Sequence, residues 1–177
     1  IEPTGMKGNC SRPLSGGRWS MYFYVPKGTK VVGGFGATSP GVAAAPFKVW
    51  LAGDSTVANP NSGVSCPAGW GSQFDRLFND DVTVVNNAVG GRSIQTWLYE
   101  SNVKSTMDST GECVVSPRTY ASRWATMLSA NGMAAGDWLI IQFGINDGDR
   151  NCPRHVGTTR YRQLLSTMAR EAKARGV

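Results

Sequence analysis

From Pro46 onward, apolar residues fall into short, nearly unbroken runs, separated by stretches in which they recur every three or four positions. The runs are Phe47-Lys48-Val49-Trp50-Leu51-Ala52, Val82-Thr83-Val84-Val85 and Trp138-Leu139-Ile140-Ile141-Gln142-Phe143. Runs of this length, rich in β-branched and aromatic residues, predict strands covered on both faces. Trp70, Phe74, Leu77 and Phe78 predict one helical stripe, Trp124, Met127 and Leu128 a second, and Tyr161, Leu164, Leu165, Met168 and Ala172 a third. Strand and helix in alternation predict an α/β fold, an open parallel sheet with flanking helices.

Upstream the rhythm is different. Trp19, Met21, Phe23 and Val25 alternate with Ser20, Tyr22 and Tyr24, Pro26-Lys27-Gly28-Thr29 breaks the pattern, and Lys30-Val31-Val32 resumes it. Two strands joined by a turn are expected across residues 18–36. Residues 37–46 are rich in Ser, Pro, Gly and Ala, as linkers are. Residues 1–45 therefore read as a β-rich segment and linker, and 46–177 as a separate α/β portion. Tyr22 and Tyr24 share a strand face; they serve either packing or sugar stacking, and the second use would make the segment the end of a carbohydrate-binding β-sandwich. At the other end, Lys173 and Arg175 are followed by Gly176, where a helix C-cap glycine belongs and a further parallel strand is expected. The expectation is the N-terminal portion of a larger sheet; a complete three-stranded domain with the hairpin covering its edge is the alternative.

Composition narrows the class. Apolar residues at 41% against charged residues at 17% exclude disorder driven by charge. No apolar run approaches the roughly 18 to 20 residues of a membrane span. The formal charge of +6 favours acidic partners in general or simple solubility. Cysteines at 10, 66, 113 and 152 show no C-x-x-C spacing, so neither a zinc site nor a redox motif is expected. The dispersed set fits two disulfides and a secreted protein, or else four free buried thiols. Cys113 and Cys152 make the preferred pair, because both lie in polar loops flanking the same strand-helix unit. The start at Ile1, without initiator Met or apolar leader, reads as a mature or trimmed product. Neither a G-x-x-x-x-G-K-[ST] nor a strand-linked G-x-G-x-x-G occurs, and no nucleic-acid module is recognisable, so no cofactor, metal, nucleic acid or membrane partner is expected.

In parallel sheets, reactive groups collect at the carboxyl ends of the strands. The three runs are followed there by Gly53-Asp54-Ser55-Thr56, by Asn86-Asn87-Ala88-Val89-Gly90-Gly91-Arg92-Ser93, and by Gly144-Ile145-Asn146-Asp147. A serine exposed on a turn, a glycine whose N–H approaches a substrate oxygen, and an asparagine amide supply a nucleophile and oxyanion donors, which acyl transfer needs.

These three blocks, in this order, resemble the GDSL-type esterases of the SGNH hydrolase superfamily. Gly53-Asp54-Ser55-Thr56, the Trp70-Gly71 pair and Gly90-Gly91-Arg92-Ser93 look most like the rhamnogalacturonan acetylesterase branch. The resemblance covers residues 47–177 and implies a flavodoxin-like fold. It also implies Ser55 as nucleophile, with the Ser55 N–H, the Gly91 N–H and the Asn146 side chain forming an oxyanion hole. The family's fourth block, Asp-x-x-His, is absent here, and a serine needs a base to take its proton. The expected source is a companion C-terminal polypeptide; the local alternative is His155, the chain's single histidine, which also reads as a helix-start or surface residue. Arg92 reads either as a partner for a uronate carboxylate or as a salt-bridge residue. Asp54 is expected to order the Ser55 turn, and Asp147 to brace the Asn146 amide. The function expected is a secreted serine esterase that removes acetyl groups from a pectic or xylan-type polysaccharide. A lipid or small-ester hydrolase and a non-catalytic carbohydrate-binding fragment are the alternatives.

Overall fold

A computed structural model describes residues 45–60 and 68–177. The strands expected in 18–36, most of the linker, Tyr22, Tyr24, Cys10 and Cys66 lie outside the described residues. Residues Pro46–Val177 form one compact unit.

Its centre is β1 (Phe47–Gly53), flanked by β2 (Val82–Asn86) and β5 (Trp138–Gln142), all parallel, in the order β2-β1-β5. Val49 lies opposite Val84 on one side and Trp138 on the other. Side chains alternate along a strand, and here each face has a cover. Trp50 and Ala52 face Ile94, Trp97, Leu98, Trp124, Met127, Met133, Met168 and Ala172, whereas Val49 and Leu51 pack with Val57 and Phe74. That double cover is why β1 is apolar at nearly every position. Asp137 accepts the Lys48 N–H at 2.8 Å, the Trp50 indole N–H at 2.9 Å and the Ala134 N–H at 3.0 Å, pinning the amino end of β1 beside β5.

The first predicted helix is a 3-10 helix, Trp70–Leu77. Phe74 is buried, but Leu77 is 62% exposed, so it leaves the expected stripe. The helix ends there, and Phe78, extended at φ −120°, packs its ring edge-on 5.1 Å from Phe74 instead. A Cβ on Gly71 would come within 2.5 Å of the Val57 carbonyl, so only glycine allows this close approach. Helix α2 (Ser122–Met127) buries Trp124 and Met127 as expected, with Leu128 packed at its end.

Helix α3 (Thr158–Lys173) carries its predicted stripe against the larger core cluster. It closes in a Schellman arrangement: Gly176 adopts φ +82°, its N–H reaches Lys173 O, and the Val177 N–H reaches Ala172 O.

Four elements lie where no element was expected, one of them the 3-10 turn Glu100–Asn102. Helix α1 (Ile94–Tyr99) buries five consecutive residues and so has no polar face to give it a helical period. Strands β3 (Val103–Met107) and β4 (Cys113–Val115) form a separate antiparallel pair. Cys113 and Cys152 are disulfide-bonded, as the sequence preferred, which ties β4 to the loop between β5 and α3.

Candidate active site

The chain crosses from β1 to β2 on one side and then from β2 to β5 on the other, so the sheet's switch point lies at the carboxyl end of β1. Crevices form at such points in open α/β sheets. Three loops meet here.

The first is the turn after β1. Asp54 is 1% exposed; its Oδ1 accepts both the Thr56 N–H at 2.8 Å and the Thr56 hydroxyl at 2.7 Å. Its backbone oxygen accepts the N–H groups of Val57 and Ala58. Asp54 thus orders the turn as expected, and Ser55 stands exposed at its apex. Among the described residues, nothing hydrogen-bonds the Ser55 hydroxyl. A polar chain continues outward: Thr56 Oγ1 accepts from Gln142 Nε2 at 2.8 Å, and Gln142 Oε1 accepts from the Trp70 indole at 2.8 Å. The sequence carries no sign of this link, because its members lie 72 and 86 positions apart.

The second loop runs from Asn86 to Ser93. The Val89 N–H binds Gly53 O at 2.9 Å, which lays the loop along the end of β1. A Cβ on Gly90 would lie 3.7 Å from the Ser55 Cβ, so the glycine turn sits directly against the serine. Gly91 has φ +72°, a left-handed conformation that favours glycine. Ser93 then caps α1 reciprocally with Thr96.

The third loop follows β5. Asn146 Nδ2 donates to Arg92 O at 3.1 Å, fastening this loop to the glycine turn. Asp147 is buried; its carboxylate accepts the N–H groups of Ile94 and Gly144 rather than touching the Asn146 amide itself. Burial pushes its carboxyl above the usual range, the backbone N–H groups oppose this, and the negative charge of Asp54 adds to it.

Ser55, the glycine turn and Asn146 are therefore brought together. Arg92, read from the sequence as a uronate partner or a salt-bridge residue, forms an ion pair with Glu100, which also binds Arg123. Burial alone would raise the Glu100 carboxyl, but hydrogen bonds and charge from Arg123 and Arg92 outweigh it and hold the group below its ordinary value. Glu100 adopts φ +51°, a backbone position an L-residue holds only under constraint. His155 is engaged elsewhere: its Nδ1 lies 2.6 Å from Asp149 O, and no hydrogen bond joins it to Ser55. Asp149 pairs with Arg154. No group of three His, Cys, Asp or Glu placed to hold a metal occurs among the described residues, and no helix among them is long and apolar enough to cross a membrane.

A family model described as GDSL-like Lipase/Acylhydrolase matches residues 49–176. The chain belongs to this family. Two curated members from Bacillus subtilis (strain 168) are similar to it. Rhamnogalacturonan acetylesterase RhgT is 30% identical over 131 residues, covering 74% of this chain and 46% of that protein. The probable rhamnogalacturonan acetylesterase YesY is 28% identical over 130 residues, covering 72% of this chain and 49% of that one. This GDSL-like chain thus spans about half the length of the curated relatives it matches. A crystal structure of protein YXIM from Bacillus subtilis shares the fold, with TM-score 0.55 and 23% identity over 75% of this chain and 31% of that one. As in the sequence reading, this GDSL-like chain is an α/β protein with a parallel sheet and flanking helices.

Proposed function

We propose that this acylhydrolase chain carries the nucleophile and oxyanion half of a secreted serine esterase, which deacetylates a plant cell-wall polysaccharide through an acyl-enzyme. Pectic rhamnogalacturonan is the first candidate substrate and xylan the second. One observation carries the reading: exposed Ser55 lies against Gly90, and the Asn146 amide donates to the Arg92 carbonyl two residues further along the same loop. The names of the curated relatives support the substrate class.

In the proposed reaction Ser55 Oγ attacks the acetyl carbonyl carbon while a base takes the hydroxyl proton. The Ser55 and Gly91 N–H groups and the second Asn146 amide hydrogen hold the oxyanion. Collapse expels the sugar hydroxyl, which receives the proton, and water then attacks the acyl-enzyme to release acetate. The base lies outside residues 46–177, on a stretch of polypeptide bearing Asp-x-x-His, since no hydrogen bond among the described residues joins His155 to Ser55. Arg92 serves the site through its backbone oxygen, while its side chain pairs with Glu100, a carboxylate it shares with Arg123.

Acetate release from acetylated rhamnogalacturonan and acetylated xylan, with the base-bearing polypeptide present, tests the reading. Ser55→Ala is expected to abolish release, and an unchanged rate would sink the proposal. Release from xylan alone would reassign the substrate.

A further inference from the structure

Next to Asn146 stands a carboxylate for which the two-step chemistry has no use. Asp147 is 4% exposed, and no ion pair among the described residues includes it. Buried charges are ordinarily paired, so an unpaired one held in a fold calls for a reason. Its two oxygens bind different stretches of chain. Oδ1 accepts the Ile94 N–H at 2.9 Å, and Oδ2 accepts the Gly144 N–H at 3.0 Å. Ile94 opens α1, two positions after Arg92, and Gly144 begins the turn that carries Asn146. The backbone oxygen of Asp147 accepts the Val156 N–H at 3.1 Å, which adds the lead into α3.

Three segments therefore converge on one residue, and Asn146 spans the gap between two of them through its 3.1 Å bond to Arg92 O. An amide stabilises developing charge only if its N–H is aimed before the charge appears. The Arg92 carbonyl occupies one of the two amide hydrogens, so the direction of the other depends on how far apart the two turns are held. Hydrogen bonds from backbone N–H groups to a carboxylate are short and strong, well suited to fixing that separation.

We propose that Asp147 is a positioning residue: its carboxylate sets the spacing between the Gly90–Ser93 turn and the Gly144–Asn146 turn, and so aims the Asn146 amide without touching substrate. The inference rests on the esterase reading of Ser55 and Asn146. Burial of the carboxyl, which favours its neutral form, is the cost at which this spacing is kept.

The test compares wild type with Asp147→Asn, which keeps the size of the side chain but presents an NH2 to one of the two N–H donors. Two readouts are taken: kcat and KM for 4-nitrophenyl acetate in the protein with its base-bearing polypeptide, and nitrogen-15 NMR of the chain. The variant is expected to lower kcat by roughly 10- to 100-fold with KM unchanged, as for a small misplacement of a reacting group. In NMR, amide exchange at Ile94 or Gly144 should quicken, and the bonded Asn146 side-chain proton should move toward its free-amide position, while Met168 in α3 stays protected. An unchanged kcat, or unchanged Ile94, Gly144 and Asn146 signals in Asp147→Asn, overturns the inference. An inactive wild type overturns the esterase reading instead, and the NMR signals still decide whether Asp147 aims the amide. Loss of protection at Met168 in the variant would show general unfolding and refute a local positioning role.

Discussion

Replacing Asp54 separates what its shape contributes from what its charge contributes. Both hydrogen bonds from Thr56 go to one oxygen, Oδ1, at 2.8 and 2.7 Å. Asparagine in the same rotamer presents its carbonyl oxygen there and keeps both bonds, whereas alanine loses both. Hydrogen bonds to a charged acceptor contribute about 1.5–3 kcal/mol each, and a buried N–H left without a partner costs about 1–3 kcal/mol. The desolvation regained by removing a buried carboxylate offsets part of this, which leaves about 2–3 kcal/mol for Asp54→Ala. For a unit of this size that is a fall in Tm of roughly 7–11 °C. Asp54→Asn should stay within about 1 kcal/mol of wild type, because it loses only the charge contribution. Calorimetry on the three proteins, oxidised and at the same pH, reads the difference. Equal losses in Asn and Ala would refute the reasoning, since they would mean that the charge and not the Oδ1 acceptor orders the turn. The Asn variant has a second consequence: without the Asp54 charge, the Asp147 carboxyl should titrate lower than in wild type, visible in carbon-13 NMR.

Other perturbations follow from the same contacts. Trp97, fully buried and bonded through its indole to Asn87 O at 2.9 Å, should cost about 3–5 kcal/mol on truncation to Ala, measured by urea denaturation. Changing Cys113 and Cys152 together to Ser opens a cross-link between residues 39 apart and should cost roughly 3–4 kcal/mol in the same assay. The Glu100 carboxyl titrates lower in the fold than in the unfolded chain, so the stability it lends to the Arg92 and Arg123 ion pairs is present at neutral pH and lost as pH falls through and below the ordinary carboxylate range. Glu100→Gln should flatten that part of the stability profile. Asp147 has the opposite sign: its carboxyl titrates higher when folded, so its contribution is most favourable at low pH and declines as pH rises through the folded value, a slope that Asp147→Asn should remove.

The strands were legible because their cause is local. Each is short and strongly apolar, so Phe47–Gly53, Val82–Asn86 and Trp138–Gln142 match expectation to within one residue at each end, but only central β1 is buried on both faces, while β2 and β5 beside it are partly exposed. Helix α3 was legible because one face meets the core and the other meets water. Helix α1 was not, since Gln95 and Thr96 are buried along with Ile94, Trp97 and Leu98 and leave no period to read. Gln95 turns inward to donate to Pro153 O and His155 O, a use decided nearly sixty positions away. The cap at Ser93 hides for a related reason, because Thr96 replaces the Glu or Gln of the usual signature. Leu77 shows the limit of periodicity itself: it fits the stripe, but as the last residue of the helix it is exposed, and Phe78 packs on Phe74 instead.

The candidate site divides along the same line. Ser55, Gly91 and Asn146 sit at strand ends, where order along the chain already indicates proximity. The residues that set their geometry are carboxylates bound to backbone N–H groups, a hydroxyl or arginines, locally for Asp54 and across 53 positions for Asp147 and Ile94, and none of them hydrogen-bonds the Ser55 hydroxyl. Asp54 holds the serine turn, Asp147 holds two turns together, and Glu100 holds the side chain of the residue whose carbonyl receives Asn146. These carboxylates are bound into the frame of the site: each Asp147 oxygen accepts one backbone N–H, and both Thr56 bonds fall on a single Asp54 oxygen. The carboxylates around Ser55 therefore order its loops without hydrogen-bonding its hydroxyl, which supports the proposal that the base lies outside residues 46–177.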